Sequence, residues 1–426
     1  MTPDSAKPLK KVRMGLYGAG GRGTGVARNL IEDPRCECTW ICDTNEIRLE
    51  MARKDFESRH GITVKATANY KEMLADPDLD LILVATPDFM HHEHALQVCK
   101  AGKHLFLEKP IGINLKQCHE ILTAAREADI IFETGYVLRY TPFFSAIKEL
   151  VSKGELGRIN FVEAEEAYYG AIHFFKGWQR YRKNVGAIMI QKITHDFDLF
   201  YWMFGEPKRV FTMGSNREYV PENNPKGSKA KNCRECPPDQ RCKYYSPSPE
   251  KGMYSIETAA IDEKLPWLGP ENFRLDDCIY NTNKDITDHT TTVVEFRNGL
   301  HAVLNMNYFP SMLRSNRFWH VYGSDAEMDA NGNENLITIM PRHSGNPADV
   351  QAIMPSGTIE GGHGGGDYVQ AVAFLDALTD PAGPREARAG ILSSYWSSVM
   401  VMAASESLFT GQPVDTDEFR KDFPVP

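Results

Sequence analysis

The run Val12-Arg-Met-Gly-Leu-Tyr17 passes directly into Gly18-Ala-Gly20-Gly21-Arg22-Gly23, so an apolar strand feeds a glycine-rich turn that opens a helix. Few architectures accommodate that order. Gly18 permits the tight turn, Gly20 lets the backbone approach a pyrophosphate, and Gly23 allows close packing of helix on strand. The helix amino end meanwhile presents N–H donors and the positive end of its dipole. A second apolar strand, Cys38-Thr-Trp-Ile-Cys42, ends at Asp43, 20 residues beyond Gly23. A carboxylate there accepts hydrogen bonds from an adenosine ribose and repels a 2′-phosphate. The expected ligand is NAD in preference to NADP, held by Gly18, Gly20, Gly21, Arg22, Gly23 and Asp43.

A chain of 426 residues exceeds one usual domain, and two are the natural expectation. A net charge of −9 with dispersed Lys and Arg argues against nucleic acid as a partner. No stretch is long and apolar enough to span a bilayer, and Met1 to Lys11 lacks the apolar core of a signal peptide. Nine cysteines are an odd number for a disulfide framework, so reduced thiols and a cytoplasmic setting are expected.

From Val12 to about Gly135 strands and helices alternate, with strands expected at Ile62 to Ala66, Leu79 to Ala85, His104 to Leu107 and Ile130 to Thr134. That grammar predicts a parallel sheet covered by helices on both faces, in a domain spanning 1–137. The pattern then changes. A long strand at Arg158 to Tyr169 and a helix near Gly186 to Phe204 precede strands at Thr290 to Phe296, His301 to Tyr308 and Arg317 to Tyr322. Short turns such as Arg297-Asn-Gly299 predict a mostly antiparallel sheet within an α+β region, 138–426. A Pro-, Cys- and charge-rich insertion at about 217–285 interrupts it.

Leu105-Phe-Leu-Glu108-Lys109-Pro110 sets Glu-Lys-Pro at the carboxyl end of a parallel strand, where ligands sit in open α/β sheets. The Lys109 ammonium is a candidate to hydrogen-bond a reacting hydroxyl and exchange a proton, and Pro110 fixes the backbone beside it. In combination with Ala85-Thr-Pro-Asp-Phe-Met-His91, Ala101 to Pro110 and Gly135-Tyr-Val-Leu-Arg-Tyr-Thr-Pro142, the glycine turn resembles the glucose-fructose oxidoreductase, inositol dehydrogenase and MocA family. The resemblance implies an amino-terminal Rossmann domain and a carboxyl-terminal domain with a large open, mostly antiparallel sheet that forms homodimers or homotetramers. It also implies NAD(P)-coupled chemistry on sugar or cyclitol hydroxyls. By position, Thr86, Pro87 and His91 would line the cofactor, Glu108 would reach the nicotinamide ribose, and Lys109 would touch both cofactor and substrate.

The family's second signature is an aspartate followed four residues later by a histidine. Here that segment reads Gln191-Lys192-Ile-Thr-His195, and on a regular helix residues 191 and 195 share one face. His195 is the candidate general base, Gln191 stands where the carboxylate is expected, and Lys192 projects about 100° away. Arg139, Tyr140, Trp178, Arg182 and Lys192 are candidate substrate contacts, since aromatic and cationic groups suit a polyhydroxylated or acidic ring. Cys233, Cys236, Cys242 and Cys278 have the residue type and the tight first spacing of a structural zinc site, with an iron–sulfur centre or free thiols as alternatives.

The leading expectation is an NAD-dependent oxidoreductase acting on a sugar, sugar acid or cyclitol. The alternatives are a redox-neutral NAD-dependent glycoside hydrolase and a non-catalytic NAD or sugar sensor. The glycine-rich turn Gly361 to Asp367 reads as a flap that carries His363 without a catalytic role.

Overall fold

The computed structural model describes residues 9–237, 242–245, 276–356, 362–380, 382 and 386–426, and two sheets organise them. The first contains β1 (Val12–Tyr17), β2 (Cys36–Cys42), β3 (Lys65–Thr67), β4 (Leu81–Val84), β5 (His104–Leu107) and β6 (Phe132–Thr134). Its order is β3-β2-β1-β4-β5-β6, with every pairing parallel. Helices Gly21–Ile31, Glu46–His60, His91–Lys100 and Leu115–Glu127 lie between the strands. Cover on both faces explains why β4 is the unbroken apolar run Leu-Ile-Leu-Val, buried throughout. The order reverses between β1 and β4, which opens a crevice at their carboxyl ends.

The second sheet contains β7 (Ile159–Ala167), β8 (Pro207–Ser215), β9 (His289–Phe296), β10 (His301–Asn307), β11 (Arg317–Gly323), β12 (Ala326–Asn331), β13 (Leu336–Pro341), β14 (Gln351–Ile353) and β15 (Val414–Asp415). Its order is β14-β13-β12-β11-β7-β10-β9-β8-β15. The β7–β10 pair is parallel and the other pairings are antiparallel. Burial alternates along β9 and β10 because helices cover one face only. Helices Thr194–Phe204 and Ile391–Thr410 pack on that inner side.

Three features depart from the sequence expectation. Strands β8, β12, β13, β14 and β15 were not anticipated, since they are short or one-sided and carry weak apolar runs. The expected helix from Gly186 to Phe204 is divided into Ile188–Lys192 and Thr194–Phe204, with Ile193 at φ −90° and ψ 12° between them. Finally, helix Gly366–Thr379 returns to the parallel sheet: Ala371, Phe374, Leu375 and Leu378 join Val12, Leu81 and Phe106 in one core, and Phe374 meets Phe106 edge-on at 5.5 Å. That return brings residues 363–367 beside the glycine turn.

Much of the anticipated insertion lies outside the described residues. Its described ends are pinned by an Asn232–Asp277 bridge and by Arg180, which ion-pairs with Asp277 at 2.7 Å. Among the described residues no helix is long and apolar enough to cross a membrane.

Candidate active site

The glycine turn is built by contact as well as by conformation. Gly18 has φ +101°, and a Cβ there would lie 2.6 Å from the Ala85 carbonyl oxygen; a Cβ on Gly23 would lie 2.1 Å from the Gly18 oxygen. Helix Gly21–Ile31 has no side-chain cap and no acid in its first turn, so its amino end has the donors and charge that suit an anion. Asp43 accepts a hydrogen bond from the Ala19 N–H at 2.9 Å and another from Asn45 N–H at 2.8 Å, which ties the turn to the end of β2. A small pocket beside it is lined by Gly18, Gly20, Asp43, Thr44, Arg48, Thr86 and Pro87, among others. A dinucleotide fits this arrangement: backbone crowding requires glycine where a phosphate must approach, and a carboxylate stands at the ribose end.

A cleft of about 410 Å³ continues from this pocket toward the second sheet. Glu108 and Lys109, on the loop after β5, stand at its centre, and the Lys109–Pro110 peptide is cis. Glu108 accepts a 2.7 Å hydrogen bond from Arg22 Nε, and Arg22 reaches Asp367 with its other arm at 2.7 Å. Lys109 Nζ donates to the Gln191 carbonyl at 2.7 Å. Burial pulls the Lys109 pKa down to about 8, opposed by the negative charges of Asp88 and Glu108. The buried Asp88 carboxyl is in turn pushed up to about 7 by desolvation, against the Lys109 charge. Burial thus disfavours the charged form of both groups, and their opposite charges partly offset that cost.

The far wall comes from the second sheet and its helices. His195 is buried, and among the described residues its Nδ1 has no hydrogen-bond partner. Desolvation holds its pKa well below the ordinary value, reinforced by Lys109, Arg317, His363 and Lys192. Lys192 pairs with Glu166 at 3.2 Å and lies over the Tyr168 ring at 3.8 Å. Arg317 donates to both Asp196 oxygens, at 2.7 and 3.0 Å, and pairs with Glu166. Tyr168, Phe174, Trp178 and Gln179 complete the wall.

A family model described as an oxidoreductase family with an NAD-binding Rossmann fold matches residues 12–136, and the model of the same family's carboxyl-terminal domain matches 144–329. The chain belongs to the Gfo/Idh/MocA oxidoreductase family. Among its relatives, the YteT protein of Bacillus subtilis (strain 168) is 25% identical over 356 residues, covering 78% of this chain and 80% of that one. The myo-inositol 2-dehydrogenase of Thermotoga maritima is 29% identical over 205 residues, 48% of this chain and 58% of its own length. A levoglucosan dehydrogenase solved with NADH and levoglucosan superposes with a TM-score of 0.73, covering 95% of this chain and 99% of that one. At 16% identity that likeness is one of fold.

Within this Gfo/Idh/MocA chain, the sequence candidates divide by location. Thr86, Pro87, His91, Glu108, Lys109, Trp178, Gln191, Lys192 and His195 all line the cleft. Gln191 and His195 reach it from two successive short helices, so the single-helix argument for their shared face fails even though both arrive. His91 is buried, with its ring nitrogens 2.6 Å from the Pro110 oxygen and 2.7 Å from the Thr86 oxygen, so it also braces the two loops.

Three substrate candidates lie elsewhere. Arg139 is buried and forms a bidentate pair with Asp198, at 2.5 and 2.6 Å. Tyr140 is buried and donates to Glu133 at 2.7 Å. Arg182 stacks on Phe409, its guanidinium carbon 3.1 Å from the ring centroid. A buried guanidinium is tolerated through a carboxylate partner, and the 59 residues separating Arg139 from Asp198 conceal that partner in the sequence. The zinc expectation likewise finds no support: among the described residues no group of three His, Cys, Asp or Glu side chains converges to hold a metal, and none of the four cysteines is in a disulfide. Sequence reasoning missed Asp88, Tyr168 and Arg317 and set His363 aside. Asp88 stood inside the quoted Thr-Pro-Asp motif and was the one legible omission.

Proposed function

We propose that this chain is an NAD-dependent oxidoreductase that oxidises a hydroxyl of a sugar, sugar acid or cyclitol or reduces the matching carbonyl. The observation that carries this reading is the convergence of Lys109, Gln191 and His195 in one cleft that opens onto the glycine turn. When bound, nicotinamide supplies a hydride acceptor or donor. Lys109, held by the Gln191 carbonyl and depressed toward neutrality, hydrogen-bonds the reacting oxygen and stabilises its developing charge. Trp178 and Tyr168 offer apolar faces to a ring. Asp43 supports NAD over NADP, and self-association through the uncovered face of the second sheet belongs to the same reading.

A panel of hexoses, uronic acids, inositols and anhydrosugars with NAD, followed by NADH absorbance, tests it. At least one member is expected to form stoichiometric NADH, and Lys109→Ala is expected to lower kcat by about 100- to 10,000-fold while folding normally. Normal turnover in that variant would remove Lys109 from the mechanism.

A second reading, redox-neutral cleavage of a glycoside, is favoured by an adjoining cavity of about 430 Å³ that shares Leu138, Arg317 and His363 with the first. It has room for an aglycone. Release of an aglycone from aryl glycosides without net NADH would establish this reading over the first.

A further inference from the structure

We propose that the proton acceptor in this cleft is the His363–Asp367 pair, with His195 serving as a hydrogen-bonding neighbour; this rests on the oxidoreductase reading above. His363 lines the cleft, and its ring centroid lies 6.4 Å from that of His195. That separation leaves room for one oxygen atom between the two rings. The two histidines are not equivalent. His195 is enclosed, its Nδ1 lacks a partner among the described residues, and four cationic or ionisable nitrogen groups surround it, so an imidazolium there is poorly supported.

His363 has the support that His195 lacks. Its Nδ1 lies 2.9 Å from Asp367 Oδ2, which fixes the Nδ1–H tautomer and leaves Nε2 as the acceptor. The other Asp367 oxygen accepts from Arg22 Nη1 at 2.7 Å, and Arg22 Nε donates to Glu108. Desolvation works against the Asp367 charge, yet the His363 hydrogen bond and the Arg22 charge outweigh it, so the carboxylate stays ionised. The carboxylate–histidine pair that Gln191 and His195 fail to form is thus present four residues apart on another segment.

Backbone geometry agrees with a placed side chain. His363 has φ +52° and ψ 40°, followed by Gly364 at φ +61° and Gly365 at φ +86°. A left-handed conformation is uncommon for a residue with a Cβ and persists where the surroundings impose it. Helix Gly366–Thr379 supplies that constraint, because its apolar face is locked to the parallel sheet. In the oxidative direction the substrate O–H bond breaks and its proton passes to His363 Nε2. The C–H electron pair leaves as hydride to NAD⁺, and C=O forms. Asp367 is a positioning residue that stabilises the imidazolium.

The test uses the full-length protein and the most active member of the sugar panel. His363→Ala is expected to lower kcat at least about 100-fold with little change in KM, NADH affinity is expected to hold within about twofold, and added imidazole is expected to restore part of the rate. His195→Ala is expected to lose less than His363→Ala. Independently of turnover, ¹⁵N-histidine spectra should show His363 as the Nδ1–H tautomer and show that tautomer lost in Asp367→Asn. Wild-type kcat in His363→Ala, or an unchanged His363 tautomer in Asp367→Asn, would overturn the pair alone. A wild type that binds NADH yet turns over no panel member would overturn the oxidoreductase reading and this inference with it.

Discussion

Replacing Asp198 by Asn isolates the role of Arg139, a candidate substrate contact that the structure buries in a pair with Asp198. The Arg139 and Asp198 side chains are 3% and 1% exposed, so the pair has almost no solvent to fall back on. Asp198 also accepts from Ser397 at 2.9 Å, and Arg139 donates to the Arg388 carbonyl at 3.1 Å. The contact therefore joins helix Thr194–Phe204 to helix Ile391–Thr410 and to the turn Val137–Tyr140. Asn keeps the volume but removes the charge and points an amide donor at a guanidinium donor. Leaving one buried charge uncompensated costs about 3–5 kcal/mol. At a urea dependence near 3 kcal/mol per molar, that lowers the midpoint by about 1–1.7 M. Near-ultraviolet circular dichroism in urea measures it, with NADH formation assayed on protein folded in buffer. The double variant Arg139→Met with Asp198→Leu should recover most of the loss, since a packed apolar pair replaces the buried ions. A midpoint within about 0.2 M of wild type for Asp198→Asn, together with a raised KM for Arg139→Met, would return Arg139 to the substrate site.

Gly23→Ala forces a Cβ to 2.1 Å from the Gly18 carbonyl, so stability should fall by about 1–3 kcal/mol and NADH affinity at least about tenfold in a fluorescence titration. Gly25→Ala, on the same helix with open space around its Cβ, should leave affinity intact. If Asp43 repels a 2′-phosphate as proposed, Asp43→Ser should shift the NADP-to-NAD ratio of kcat/KM upward by about tenfold or more, equivalent to about 1.4 kcal/mol; an unchanged ratio would dissociate Asp43 from cofactor choice. Glu133 is fully buried, and desolvation raises its pKa from 4.5 to about 7 despite hydrogen bonds from Gln370 and Tyr140. Between those values the unfolded chain has released a proton that the folded chain keeps. Its contribution is thus complete below about pH 4.5 and declines up to pH 7, by on the order of 3 kcal/mol. Urea midpoints at pH 5 and pH 7.5 should differ less in Glu133→Gln than in wild type; equal differences would contradict the assignment.

The parallel sheet was legible because burial on both faces writes apolar runs such as Leu81–Val84 directly into the chain, and glycine is compulsory where backbones touch. The second sheet was legible only in part. Its strands alternate, and β12 to β14 are short, so residues such as Glu327 and Asp329 dilute the signal. The cofactor side of the site follows local order, with Glu108 and Lys109 one step beyond β5. The substrate side does not. Arg317 reaches Asp196 across 121 residues, and Arg22 reaches Asp367 across 345. No periodicity encodes either contact. His363 was visible as part of a glycine-rich turn expected to be flexible, and the structure shows His363, Gly364 and Gly365 in left-handed backbone with the His363 ring lining the cleft.

These long-range pairs also bear on what the cleft can recognise. Five cations line it, Arg22, Arg48, Lys109, Lys192 and Arg317, and by residue type alone they would favour a strongly acidic substrate. Their partners reverse that inference. Lys192 and Arg317 converge on Glu166, and Arg317 also takes Asp196, while Arg22 is divided between Glu108 and Asp367. Each of these charges is compensated within the protein, as burial requires. Lys109 differs, because its hydrogen bond runs to a neutral carbonyl. A hydroxyl or carbonyl oxygen that displaces or shares that bond leaves no buried carboxylate unpaired. An anionic group drawn to Lys192 or Arg317 would have to compete with Glu166 and Asp196. The geometry therefore ranks neutral sugars and cyclitols above uronic acids in kcat/KM, and Glu166→Gln, which releases Lys192 and Arg317, should narrow that ranking. A wild type that prefers uronic acids would refute this account of the charges.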